Sequence, residues 1–161
     1  MTVIVVEDGT VVTGANSYVT EAELTAYATA RNVTLTGATD ELIVQAMDYI
    51  EGLSYIGVKS TSAQPLQFPR YNVVVDGYLI ETATILQILK DGQMEAAIAV
   101  DAGNDPLANV TRQTKKEKVD VLEVEYMDNA VSNTIVKKIS TKLRKLLVNS
   151  NGGISFPVTR G

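Results

Sequence analysis

The sequence predicts a mainly α fold: a small helical domain of about four helices, a short β-hairpin or β-strand segment, and extended arms at both ends. Three observations carry that reading. Residues 20–31, 39–52, 84–103 and 134–148 place apolar residues at helical spacing. Residues 110–126 alternate apolar and polar at the period of a strand. The two ends mix apolar residues with turn-forming Gly, Asn and Pro and carry no helix cap. The expected organisation is therefore an extended N-terminal arm at 1–18, a helical domain at 19–150 and an extended tail at 151–161. A chain of 161 residues with 45% hydrophobic composition fits one domain that buries a real core.

Taken in order, Val3, Ile4, Val5 and Val6 favour an extended arm, and Asp8-Gly9 and Gly14-Ala15-Asn16 supply turns. Thr20-Glu21-Ala22-Glu23 is a capping box, and Val19 and Leu24 suit a hydrophobic staple across it. The helix it opens is expected to reach about Arg31, with Leu24, Tyr27 and Ala28 inward. The second helix runs from near Thr39 to Gly52. Leu42, Ile43, Ala46, Met47 and Ile50 mark its buried face, and Asp40, Glu41, Asp48 and Glu51 its solvated one.

Residues 57–79 read as a long connection. Its centre, Gln64-Pro65-Leu66-Gln67-Phe68-Pro69-Arg70, has two prolines that exclude a helix. Pro65, Phe68, Pro69 and Arg70 are expected to pin this loop to the body. A third helix is expected from a Thr84 cap, with Gln87 three residues on, to Gly103 before Pro106. Gly92 is its weak point, costing up to ~1 kcal/mol relative to Ala. Between 110 and 126 the alternation changes phase, which predicts a bulge or turn near Val121. The last helix, about 134 to 148, gathers Ile135, Val136, Ile139, Leu143, Leu146 and Leu147 on one arc. Asn151-Gly152-Gly153 stops it.

The chain contains no Cys and no His, which excludes thiolate chemistry, disulfides and the commonest general base and metal ligand. No phosphate-loop, dinucleotide, zinc or calcium motif occurs. No enzymatic activity, cofactor or metal is expected. No apolar run is long enough for a bilayer, and Glu7 and Asp8 interrupt the N-terminal apolar stretch, against a signal peptide.

The net charge of −5 hides an asymmetry. Residues 1–57 hold eight acids and the single base Arg31, whereas residues 132–161 hold six bases and no acid. Lys137, Lys138, Lys142, Arg144 and Lys145 crowd the last helix. Three readings of that face stand open: an idle solvated surface, contact with nucleic-acid phosphates, or docking on an acidic protein surface such as another copy. Single-strand binders usually add exposed aromatic platforms. Here there is no Trp, and no aromatic residue lies between Met127 and Ser155.

One resemblance spans nearly the whole chain. It rests on Glu7-Asp8-Gly9, Ala15-Asn16-Ser17-Tyr18-Val19, Ala46-Met47-Asp48-Tyr49-Ile50 and the Gln64–Arg70 loop motif. It continues through Lys115-Lys116-Glu117-Lys118-Val119, Val124-Glu125-Tyr126 and the terminal Arg160-Gly161. This order resembles a family of tailed-phage head–tail connector, or adaptor, proteins that also carries the label DnaT-like single-stranded-DNA-binding protein. Phe68 departs from the Trp expected there, and Leu86 and Gly92 interrupt the expected third-helix pattern. The resemblance implies a structural head-completion subunit of a bacteriophage virion, made in the host cytoplasm. Such a subunit forms a homo-oligomeric ring, usually a dodecamer, below the portal protein. The ring joins the capsid to the next neck or tail protein and lets DNA pass, with non-specific DNA contact in the lumen and no membrane partner. On this reading the basic helix faces a neighbouring subunit, the portal or DNA, and Phe156, Pro157 and Arg160 dock the tail. The alternative it implies is a DnaT-like single-stranded-DNA-binding replication accessory.

Overall fold

In a computed structural model, residues 2–104, 106–107, 116–119, 122–125 and 131–148 are described; for 116–119, 122–125 and 131–136 this covers the backbone alone. The chain forms α1 (Glu21–Thr29), α2 (Thr39–Glu51), β1 (Val58–Lys59), β2 (Arg70–Tyr71), β3 (Val74–Val75), β4 (Tyr78–Leu79), α3 (Gln87–Asp101), β5 (Lys116–Val119), β6 (Leu122–Glu125) and α4 (Val131–Leu143). The strands make three separate two-stranded antiparallel pairs, β1–β2, β3–β4 and β5–β6. The fold is mainly α.

Helix α3 organises the body, because α1, α2 and α4 all pack against it. From Gly92 to Ala97 every residue of α3 is buried, so this stretch has no solvent face. The polar Gln93 and Glu95 are buried there among alanines, and their hydrogen bonds are made to other elements. Gly92 is explained by the crossing of α3 and α4. A Cβ at 92 would stand 2.4 Å from Cδ2 of the fully buried Leu143. The glycine that looks like a helix defect in sequence is the point of closest helix approach.

The capping box of α1 forms: the Thr20 hydroxyl accepts from the Glu23 N–H, and the Glu23 carboxylate accepts from the Thr20 N–H. The expected Thr84 cap does not form. Helix α3 begins two residues later than that cap implies, with Leu86 at the N-cap and no side-chain hydrogen bond there. Residue Thr84 instead closes a turn through its N–H to the Glu81 carbonyl. Two of the four acids expected in solvent on α2 are drawn inward: Asp40 accepts from the Thr2 N–H, and Glu51 accepts from the Tyr18 hydroxyl.

Residues 2–20 contain no helix, yet they lie against the body. Glu7 is almost fully buried, and its carboxylate accepts three backbone N–H groups, from Gly9 at 2.8 Å, Val11 at 3.0 Å and Val12 at 2.9 Å. Those bonds hold Val11 at a φ of 64°, a conformation a β-branched residue rarely adopts. Gly9 sits so close to the chain at Ala83 that a Cβ would fall 1.9 Å from its carbonyl oxygen. Further on, the side chain of Gln93 accepts from the Tyr18 N–H and donates to the Ser17 hydroxyl, both at 3.0 Å. The 151–161 tail and its Phe156, Pro157 and Arg160 lie outside the described residues.

The 57–79 connection is more ordered than the proline content suggests. Phe68 is 1% exposed and meets Tyr55 and Tyr18 edge-on, with ring centroids at 5.2 Å and 6.4 Å. The Phe68–Pro69 peptide is cis. Pro69 is buried and Pro65 exposed. Arg70 donates to the carbonyls of Tyr55, Ile56 and Gly57 and to the Gln67 side chain, closing the loop onto the segment just before β1. The Tyr18 hydroxyl donates to Glu51 at 2.6 Å and accepts from the Phe68 N–H at 3.0 Å.

Candidate nucleic-acid interface

The apolar arc of α4 turns Ile139 and Leu143 into the core, and Leu146 follows them in the turn after the helix. That leaves Lys137, Lys138, Arg144 and Lys145 exposed and Lys142 half-buried. The last helix, expected at about 134–148, spans Val131–Leu143 instead, so Arg144 and Lys145 lie in the turn after it, and residues 146–148 are stitched to the segment before β1. The Ile56 N–H donates to the Leu146 carbonyl and the Val148 N–H to the Ser54 carbonyl, each at 2.9 Å, with Tyr55 and Leu147 bridged antiparallel. The cationic end of the helix is therefore fixed beside the β1–β4 region.

Two of the five cations are already engaged. Lys138 Nζ lies 2.6 Å from Glu95 Oε2, and Glu95 is buried. The other oxygen of Glu95 accepts from the Tyr27 hydroxyl at 3.0 Å and lies 3.5 Å from Arg31 Nε. Burial first, and the Glu95 carboxylate second, push the Tyr27 hydroxyl pKa well above its ordinary value. Arg31 also lies over the Tyr27 ring, 3.2 Å from its centroid. A buried carboxylate needs such partners, so Lys138 tacks α4 to α3 and α1. Lys145 Nζ meets Asp76 Oδ2 at 2.6 Å, and both side chains are substantially exposed. Among the described residues no acid lies within ion-pair distance of Lys137, Lys142 or Arg144.

Asp76 belongs to an element that the sequence reading above leaves inside a connection. Strands β3 and β4 are joined by Asp76-Gly77, both at positive φ (53° and 85°), the geometry of a two-residue type I′ hairpin. An Asp-Gly pair between Val73-Val74-Val75 and Tyr78-Leu79-Ile80 is a direct signal of that turn. The hairpin projects apolar residues into solvent: Tyr78 is 76% and Leu79 69% exposed, with Val74 half-exposed. On the neighbouring pair, Tyr71 and Val58 face each other across β1–β2 and are both exposed. The aromatic residues missing from α4 are thus exposed on these strand pairs, and the β3–β4 turn reaches Lys145, just past the end of the helix.

The fold and surface define a small, mainly helical domain that sets a cationic helix end beside a solvent-facing apolar hairpin. The sequence model of the family described as "Putative DnaT-like ssDNA binding protein" matches residues 1–161, and the chain belongs to that family. No curated protein and no solved structure matches it. Among the described residues no helix is long and apolar enough to cross a membrane.

Proposed function

We propose that this chain acts by binding rather than catalysis, and that it takes single-stranded DNA along the face made by α4 and the β3–β4 hairpin. The observation that carries the reading is the Asp76–Lys145 contact, which sets the hairpin turn preceding the exposed Tyr78 against the cationic segment that follows α4. Single-strand binding needs those two things together: cations for the phosphates and ring faces on which unstacked bases rest. Lys137, Lys142 and Arg144 supply charge, and Tyr78 and Tyr71 supply rings. Membership of a family described as single-stranded-DNA-binding supports the same choice.

The test is fluorescence anisotropy of a labelled oligothymidylate against the purified chain at low and moderate salt. Binding should weaken steeply as salt rises, since phosphate contacts release counterions. Tyr78→Ala should weaken it by about tenfold, the scale of one lost stacking contact. A wild-type chain that leaves the anisotropy unchanged at low salt overturns the proposal.

A second reading has its own observation. Val58, Val74 and Leu79 are exposed aliphatic residues, which serve a protein partner better than a phosphate backbone. They support a head–tail connector subunit, assembled into a ring under a phage portal and facing a neck or tail protein within the virion. Particle mass and negative-stain images separate the two: rings that Leu79→Ser disperses speak for assembly, and a monomer at all concentrations speaks against it.

A further inference from the structure

Lys138 and Lys145 are both engaged by carboxylates, but the two contacts differ in kind. Glu95 is 3% exposed, so moving Lys138 away would leave a buried carboxylate with only Arg31 and Tyr27 to compensate it. That lysine is committed to the fold. Asp76 is 60% and Lys145 44% exposed, so water replaces either partner with little penalty. Asp76 sits at the tip of the hairpin that carries Tyr78, and it is the one acid within ion-pair reach of the exposed α4 cations other than buried Glu95, among the described residues.

We propose that Asp76 is a built-in competitor of the nucleic-acid interface: its carboxylate withholds Lys145 from a DNA phosphate and thereby caps the affinity of the site. The inference rests on the single-strand reading above. Its chemistry is that of one oxyanion standing where another would bind. The carboxylate is tethered, so it competes for the lysine at a fixed effective concentration, and the complex stays weaker and easier to dissociate than the count of cations alone would give.

The hairpin geometry makes a clean test available. Asn is favoured over most residues at the positive-φ positions of a type I′ turn, and Asn-Gly is among the strongest sequences for it. Asp76→Asn therefore removes the charge and keeps the turn. Oligothymidylate binding is measured across a salt series for wild type, Asp76→Asn, Lys145→Gln and the double variant. Asp76→Asn should bind about two- to fivefold more tightly at moderate salt, the range expected for releasing one exposed ion pair. The slope of log affinity against log salt should steepen by about 0.7, one added phosphate contact on a single strand. In the Lys145→Gln background the same change should leave the slope as it was.

A tighter Asp76→Asn variant with an unchanged slope overturns the inference, because then only overall charge has acted. Equal affinity and slope for wild type and Asp76→Asn also overturn it, while leaving DNA binding itself intact. Absence of binding by both proteins overturns the single-strand reading and this inference with it.

Discussion

Residues 64–69 follow no regular hydrogen-bond ladder and are mostly buried, whereas β3 and β4, a few positions later, form a regular hairpin that stands largely in solvent. In the first segment the polar side chains, Gln64 and Gln67, have internal partners. Gln64 bonds to Thr61, Leu66 and Pro69, and the Gln67 N–H donates to Glu51. Arg70 takes three carbonyls besides. In the second segment the backbone is paired but Tyr78 and Leu79 face outward. Regular backbone pairing and burial are thus separate properties in this connection. The irregular loop is scaffold, and the regular hairpin is the surface left available for a partner.

Breaking the scaffold half should produce the largest effect. Phe68→Ala removes the ring between Tyr18 and Tyr55 and should destabilise the domain by about 3–5 kcal/mol, read from chemical or thermal unfolding. A loss below about 1 kcal/mol would mean the loop is not part of the cooperative core.

A smaller effect concerns Glu51, whose pKa is raised by burial despite hydrogen bonds from Tyr18 and Gln67. A carboxyl with a raised folded pKa contributes most below its unfolded value of about 4.3, and that contribution is lost as pH rises through the folded value. Wild type should therefore lose stability relative to Glu51→Gln as pH rises above about 4.3 and through the raised folded pKa. Glutamine imposes a constant offset through its rearranged hydrogen bonds, so the pH slope is the quantity compared. Parallel slopes would contradict the burial argument.

The smallest effect on stability belongs to the exposed half. Tyr78→Ala should shift unfolding by no more than about 0.5 kcal/mol, because the ring has few protein contacts to lose. The same variant carries the large loss of oligonucleotide affinity expected above. A variant as destabilised as Phe68→Ala would erase the distinction between the two segments.

The helices were largely legible in the sequence, because their apolar faces and the Thr20–Glu23 capping box are local signals. Helix α2 runs from Thr39 to Glu51, next to the boundary its periodicity suggests. The start of α3 was not legible: Thr84 and Gln87 have capping-box spacing, but the helix begins on Leu86 without a side-chain cap. Strands of two residues are too short to leave a period, which hid β1 and β2. The β3–β4 turn did leave a signal, Asp76-Gly77. The candidate site was half legible. The cations of α4 follow from composition, but the partners that engage Lys138 and Lys145 come from positions 95 and 76, and no local pattern reports such distant pairings. The nearness of the Tyr78 hairpin to the basic segment was likewise invisible, since only the Asp76–Lys145 contact of the folded chain brings them together.

The crossing at Gly92 has a consequence for how this sequence can vary. The space between α3 and α4 is a single volume divided between two positions, with the whole share taken by Leu143 and none by residue 92. A lineage that acquires a side chain at 92 must give up branches at 143 in the same step or soon after, since either change alone leaves a collision or a void. The two positions are expected to vary as a pair: a homologue with a bulky residue at 92 should carry a small one at 143.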